Sequence, residues 1–385
     1  MVRVALVGQG LVASTFCLGL HRIKGGRAGL EGVPLSDELP VKVEEVEVCL
    51  SIDVDSSKVG RSLSEVVSGY FPGEGLGGGE FERVEVRRGL HLGSTHGLPI
   101  EGVGLEEMYP LERALDELEE TLLEADPDAI VLVSTTERFK PFGSREELED
   151  SLKSGDSSRF SAAQLYLVAA ARYARRRGGA ALVNGIPTSI ANDPVLLGLA
   201  EESGLVVFGD DGATGATPLT ADLLSHMLQR NRRVLDVAQF NIGGNMDFLA
   251  LSDEGRNRSK QETKSSVVKD ILGYDAPHYI RPTGYLEPLG DRKFVAMHME
   301  YVSFGGAIDE LVVTARINDS PALAGMLVDL VRLAKMALDR GLRGTVYEVN
   351  AFYSKNPGPK GSKNIPRTVA YERLRRWAGL KPRWL

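Results

Sequence analysis

The residues of this 385-residue chain best suited to chemistry are a glycine turn, two lysines four apart, an aspartate pair and a cluster of amides. Gly8-x-Gly10-x-x-Ala13 has the spacing at which a tight turn brings a pyrophosphate against the backbone amides of a helix N-terminus. A purely structural glycine turn is the alternative. Ser259 and Glu262 around Lys260 and Lys264 form a capping-box pattern that places both ammonium groups on one face of a helix start. Cations there oppose the positive end of the helix dipole unless an anion lies between them, so the pair points to a phosphate; a solvated lysine face is the plainer reading. Asp210-Asp211 at a strand end are either turn residues or the orienting partners of a general acid or a cofactor. Asn241, Asn245 and Asp247 around Gly243-Gly244 suit a polyhydroxylated ligand, or simply a loop. The six histidines show no metal-ligand spacing, and no Ser/His/Asp or Cys/His set emerges.

These residues need elements to hold them. An apolar run to Val7, the glycine turn and an amphipathic stretch over 14–23 predict strand, turn and helix, the first half of a βαβ unit. The next strand is expected over 46–54 and carries Asp53, where a ribose hydroxyl would be received. Its distance from the turn exceeds the usual ~20 residues, and a Gly/Pro stretch over 25–40, expected as a surface insertion, accounts for the excess. An acid there without a paired arginine favours NAD over NADP. Residues 70–104 are expected to be an irregular excursion. Helical periodicity from Leu111, then strands over 129–133, 180–183 and 205–208 separated by a helix over 161–176, predict a parallel doubly wound α/β sheet. Its ligands sit beyond the carboxyl ends of the strands. Past about 235 the strands alternate differently and predict a second, antiparallel or mixed sheet, followed by an amphipathic helix over 320–340.

Composition agrees with a folded protein of two or three domains, 43% hydrophobic and 25% charged. A net charge of -8 has the wrong sign for gripping a polyanion, so no nucleic-acid partner is expected. Cys17 and Cys49 are expected as small buried hydrophobes in a reducing compartment. No run reaches the ~18 apolar residues of a membrane span, and no signal peptide is seen, so a cytoplasmic protein is expected.

With these loops in view, the sequence resembles the myo-inositol-1-phosphate synthases, particularly their shorter archaeal and bacterial forms. The resemblance runs from the first strand to Lys355 and is weakest over 22–44 and 60–110. It is carried in order by residues 7–13, Ile52-Asp53-Val54-Asp55, Ser134-Thr135-Thr136-Glu137-Arg138, Val183-Asn184-Gly185-Ile186-Pro187, Gly209-Asp210-Asp211, residues 241–248, Ser259-Lys260 with Lys264-Ser265, Asp319-Ser320-Pro321 and Tyr353-Ser354-Lys355. It implies conversion of glucose 6-phosphate to inositol 1-phosphate: NAD-dependent oxidation at C5, enolisation, aldol closure onto C1 and re-reduction. Fixed ammonium groups suit the negative charge that develops on oxygen in each step.

The resemblance implies Lys260 near the C5 oxygen, Lys264 near the phosphate or the enolisation step, and Lys355 near the C1 oxygen. Asp211 would orient a lysine, and Asn241, Asn245 and Asp247 would hold substrate hydroxyls. NAD would be bound by Gly8, Gly10, Leu11, Val12, Asp53, Ser134, Thr135, Asn184, Pro187 and Asp210, with Asp319 and Ser320 lining the nicotinamide. The family's Lys-Ser dipeptide after the aspartate pair is replaced here by residues 212–217, leaving backbone amides with Thr214 and Thr217 to contact substrate phosphate or cofactor. The fourth active-site lysine has Lys293 as its nearest candidate and His298 as another. The implied architecture is a Rossmann NAD-binding domain over 1–235 and 346–385 with an inserted α+β catalytic domain over 236–345. The family's homotetramers form through that second sheet, for which the face of Val295, Met297 and Met299 is expected; the bland alternative packs this face under the 320–340 helix. A divalent metal or monovalent cation stays open. So do two rival functions, an NAD-dependent dehydrogenase of another phosphorylated or acidic substrate and a catalytically silent NAD-binding homologue.

Overall fold

Eleven strands among the described residues fall into two sheets. The structure is a computed structural model and describes residues 1–74, 76, 79–251 and 267–383. The first sheet holds β1 (Val2–Val7), β2 (Val46–Asp53), β3 (Val86–Arg88), β4 (Ala129–Leu132), β5 (Ala180–Asn184), β6 (Leu205–Phe208) and β11 (Gly344–Thr345). Its order is β11-β6-β5-β4-β1-β2-β3, and every pairing is parallel. Residues 4–7, 129–132 and 180–183 are apolar without interruption because both faces are covered. Val4 and Leu6 point into one apolar layer with the helices Leu11–Lys24 and Asp319–Asp339. Ala5 and Val7 point into the other, with Leu111–Ala125, Ala162–Arg177 and Pro194–Ser203. The strand order reverses between β1 and β4, which places the ligand crevice of a doubly wound sheet there.

The second sheet holds β7 (Arg233–Gly243), β8 (His278–Tyr285), β9 (Arg292–Val302) and β10 (Ile308–Asn318) in the order β10-β9-β7-β8. It is mixed, as expected: β9 runs antiparallel to β7 and β10, while β8 is parallel to β7.

Several expectations need correction. The face of Val295, Met297 and Met299 is buried within the chain. Met299 and Tyr301 cluster with Ala221, Leu224 and Met227 of the helix Ala216–Gln229 and with Val267, Val268 and Ile271, not with the Asp319–Asp339 helix. The exposed face is the opposite one, with Phe240, Tyr279, Ile308 and Val312. The stretch over 25–40 is no mere surface insertion: Leu35 and Leu39 are fully buried against the layer containing the Asp319–Asp339 helix. Residues 70–104 supply the edge strand β3 and the buried Phe81 and Leu90. The helix Asp319–Asp339 and β11 pack on the first sheet, so the chain rejoins that layer ahead of residue 346. Cys17 is buried as expected; Cys49 is half-buried, and burial pushes its thiol up to about 11.

Candidate active site

A cleft of about 670 Å³ opens where the carboxyl ends of β1 and β4 face the second sheet. Its floor is the glycine turn. The Gly8 N–H donates to the Ile52 carbonyl at 2.8 Å, and the φ of +94° at Gly8 is one that side chains disfavour. A Cβ on Gly8 would lie 2.6 Å from the Ser134 backbone nitrogen, so the turn can approach β4 only as glycine. Gln9 locks it from below, accepting from Ser51 Oγ at 2.8 Å and donating to Ser14 Oγ at 3.1 Å. Gly10 is the N-cap of the helix Leu11–Lys24 and offers no side-chain cap, leaving the first-turn amides for a ligand. Beside them Ser134 Oγ is buried without a hydrogen-bond partner among the described residues. Open amides, an orphaned hydroxyl and Asp53 at the end of β2 together fit a dinucleotide. Asp53 accepts from the amides of Val54 and Asp55, and Lys58 Nζ lies 3.6 Å from Asp53 and 3.3 Å from Asp55. Burial works the other way, but Asp53, Tyr70 and Asp55 hold the Lys58 ammonium above the ordinary lysine value.

Two lysine–aspartate pairs line the far side. Lys355 Nζ donates to Asp211 Oδ1 at 2.7 Å, while Asp211 Oδ2 is buried without a partner among the described residues. Lys293 Nζ donates to Asp319 Oδ1 at 2.6 Å, and Thr214 Oγ1 donates to the same oxygen at 3.2 Å. Both lysines are 7% exposed, so their charges are held in place and little screened by solvent. His298 lies away from the cleft, on the outer sheet face beside Glu310. The expectations for Lys260 and Lys264, with their capping box, fall outside the described residues.

Gly8, Gly10, Leu11, Val12, Asp53, Ser134, Thr135, Pro187, Ser320, Thr214, Thr217, Asn241, Asn245 and Asp247 all line the same cleft. Several are already committed to protein partners. Asn241 donates to the Arg281 carbonyl at 3.0 Å and accepts from Gln239 at 3.1 Å. Asn245 caps the helix Met246–Ala250 through the Phe248 amide at 3.1 Å. Asp247 Oδ1 accepts from Thr136 Oγ1 at 2.8 Å, a bond joining the β4 loop to the second sheet.

Asn184 and Asp210, expected at the cofactor, are not among the residues that line the cleft. Asn184 donates to Asp210 at 2.7 Å, and Asp210 also accepts from the amides of Ile190, Ala191 and Asn192. The two organise the loop beneath Pro187. Burial outweighs these donors and pushes the Asp210 carboxyl up to about 6.

Asp291 was not foreseen. Its carboxylate accepts from Ser320 N at 3.0 Å and Ser320 Oγ at 2.7 Å, and Asn245 Nδ2 approaches at 3.5 Å. It thereby caps the helix that begins at Asp319, and burial raises its pKa. Its partner lies 29 positions away, so local sequence carries no signal for it. Among the described residues no group of three His, Cys, Asp or Glu side chains converges to hold a metal, and no helix is long and apolar enough to cross a membrane.

The chain is similar to known proteins. The family profile described as Myo-inositol-1-phosphate synthase matches residues 215–320, which include the Lys293–Asp319 pair. The inositol-3-phosphate synthase of Mycobacterium tuberculosis is 30% identical over 383 residues, covering 96% of this chain and 95% of the relative. The crystal structure of a myo-inositol-1-phosphate synthase-related protein from Thermotoga maritima is 61% identical, covers all of both chains and superposes with a TM-score of 0.96. The inositol-3-phosphate synthase of Caenorhabditis elegans shares the fold at 18% identity, with a TM-score of 0.81 over 98% of this chain and 84% of that one. The chain therefore belongs to the myo-inositol-1-phosphate synthase family.

Proposed function

We propose that the protein isomerises D-glucose 6-phosphate to 1L-myo-inositol 1-phosphate without net redox change. The observation that carries this reading is that a dinucleotide-type glycine turn and two buried lysine–aspartate pairs open into one cleft. NAD, when bound, accepts the hydride from C5 of the substrate and later returns it. Gly8, Gly10 and the first-turn amides of Leu11 and Val12 would hold its pyrophosphate, Asp53 a ribose hydroxyl and Ser134 a further oxygen.

The residues of the chain then have proton and charge work to do. Oxidation at C5 acidifies the C6 protons, and the enolate that follows carries negative charge on its oxygen. Lys293, held by Asp319, places an ammonium where such charge can be stabilised. Lys355, held by Asp211, supplies the ammonium and the proton for the C1 oxygen as the ring closes. On the family resemblance, Lys260 would act at the C5 oxygen and Lys264 at the phosphate or in the enolisation step. The start of the helix Ala216–Gln229, whose N-cap Gly215 has no side chain, together with Thr217 takes the phosphate in place of the family's Lys-Ser dipeptide. Thr214 is better placed to hold Asp319.

As a cytoplasmic enzyme the protein would assemble as a homotetramer, and the exposed sheet face of Phe240, Tyr279, Ile308 and Val312 is the surface suited to it. Light scattering on the purified protein checks the mass.

Phosphorus NMR of the protein with glucose 6-phosphate and catalytic NAD, with and without magnesium, tests the reaction while absorbance at 340 nm is followed. An inositol phosphate resonance with no lasting rise in absorbance is expected, and the magnesium comparison decides the metal requirement. A lasting rise would mark a dehydrogenase instead, and no change in either channel a silent binding protein.

A further inference from the structure

Arg367, outside the cleft, is 4% exposed and makes no salt bridge with any described residue. Its guanidinium is instead spent on backbone carbonyls. Nη1 donates to Ala351 O and, at 3.3 Å, to Phe352 O; Nη2 donates to Ser354 O at 3.2 Å and Asn364 Oδ1 at 3.4 Å. These carbonyls end the helix Tyr347–Tyr353, whose C-terminus carries partial negative charge and acceptors that need donors. The remaining two are also satisfied: Asn350 O accepts from the Ser354 amide and Tyr353 O from the Ala213 amide, each at 2.8 Å.

The peptide between Ser354 and Lys355 is therefore gripped at both ends. Arg367 holds its carbonyl, while its N–H donates to the Asp211 carbonyl at 2.7 Å. The side chain leaving that peptide is the Lys355 ammonium, bonded to the Asp211 carboxylate. Arg367 is itself anchored, since its backbone N–H donates to Asp222 at 3.1 Å on the helix Ala216–Gln229. Two amino nitrogens held in one rigid plane reach three carbonyls of the same turn, with Nε left without a partner among the described residues; an ammonium offers its donors from a single nitrogen at the end of a flexible stem and cannot span the same set in that fixed geometry.

We propose that Arg367 is a positioning residue for the reaction, setting the Lys355 ammonium against Asp211 through the Ser354–Lys355 peptide. The inference rests on the role given to Lys355 above. Burial lowers the pKa of Arg367 to about 10, which still leaves it charged at neutral pH. An error of about 1 Å in a catalytic group can cost on the order of 100-fold in rate, so displacement of Lys355 should appear in kcat and not in cofactor binding.

The test compares full-length Arg367→Met, Arg367→Gln and Arg367→Lys with the wild type. Production of inositol phosphate is measured per NAD-binding site, which removes any contribution from unfolded protein. We expect kcat to fall roughly 10- to 100-fold, with KM for glucose 6-phosphate and Kd for NAD within about twofold, and Arg367→Lys to be the least affected. A kcat per site within about twofold of the wild type overturns the proposal. So does a parallel loss of NAD affinity, or failure of all three variants to bind NAD, since either makes the residue a scaffold element. A wild type that forms no inositol phosphate instead refutes the reading of the reaction, so the two failures are distinguishable.

Discussion

Lys355 meets Asp211 twice: its backbone N–H donates to the Asp211 carbonyl and its ammonium to Asp211 Oδ1, both at 2.7 Å. The lysine is thus held at both backbone and side chain, and its charge is placed before substrate arrives. Lys355→Ala should lower turnover by about 10³-fold, within the range for loss of a positioned acid or base, while NAD affinity stays nearly unchanged. Asp211→Asn should lose less, because the ammonium itself remains and the amide oxygen can still accept from it. Turnover assays and an NAD titration on both variants check this, and a large loss of NAD affinity in Lys355→Ala would remove the residue from the substrate side of the cleft.

Gly8 marks the opposite end of the cleft. Gly8→Ala should add about 1–3 kcal/mol of backbone strain, and its Cβ would meet Ser134 backbone that cannot swing aside as a side chain can. We expect NAD affinity to fall at least tenfold with the variant still folded, measured by calorimetric titration and thermal unfolding. Unchanged affinity would mean that the turn is only structural.

Legibility followed distance along the chain. The glycine turn, Asp53 and the parallel strands declare themselves because the residues that define them are close in sequence, and 4–7 or 180–183 alternate between two apolar layers with no polar interruption. The strand β3 has only three residues, and β8 contains Pro282 and Gly284, so neither has a periodicity to detect. The helix Ala216–Gln229 begins in small residues with Pro218, which read as loop. The outward face of the second sheet was misassigned because alternation shows that a strand has two faces but not which one a distant helix covers. Asp211 and Lys355 lie 144 positions apart, and the resemblance to a family gives Asp211 a lysine to orient without saying which one. Asp291 and Arg367 had neither local pattern nor motif.

The buried Asp210 gives a dependence on pH. Its carboxyl ionises near 3.8 ordinarily and at about 6 in the fold, because burial disfavours the charged form. The folded state therefore holds a proton that the unfolded chain has released between these values. The stabilising contribution is complete below about 3.8 and is lost as the pH rises through about 6, amounting to about 3 kcal/mol over the window. In Asp210→Asn that change is absent, although the amide also loses some of the five N–H donors the carboxylate receives. The wild-type stability minus that of the variant should consequently fall between pH 4 and 6 and then level off. Denaturant titrations at several pH values measure it, and a difference independent of pH would show that the donors hold the carboxylate ionised throughout.

Asp329 is fully buried. It pairs with Arg332 on the same helix, both with fully buried side chains, and its other oxygen accepts from the Leu35 amide at 2.8 Å and the Tyr353 hydroxyl at 2.6 Å. One carboxylate therefore ties the 25–40 stretch and the approach to Lys355 to the helix Asp319–Asp339. Removing it by Asp329→Ala leaves a buried guanidinium without its counter-charge and should cost about 3–5 kcal/mol. Asp329→Ala with Arg332→Leu should recover much of that loss, because the expensive state is the unpaired cation and not the missing pair. Chemical denaturation of the two single variants and the double variant closes the cycle. If the double variant is less stable than Asp329→Ala alone, the carboxylate's bonds to Leu35 and Tyr353, and not its charge, are what hold these segments.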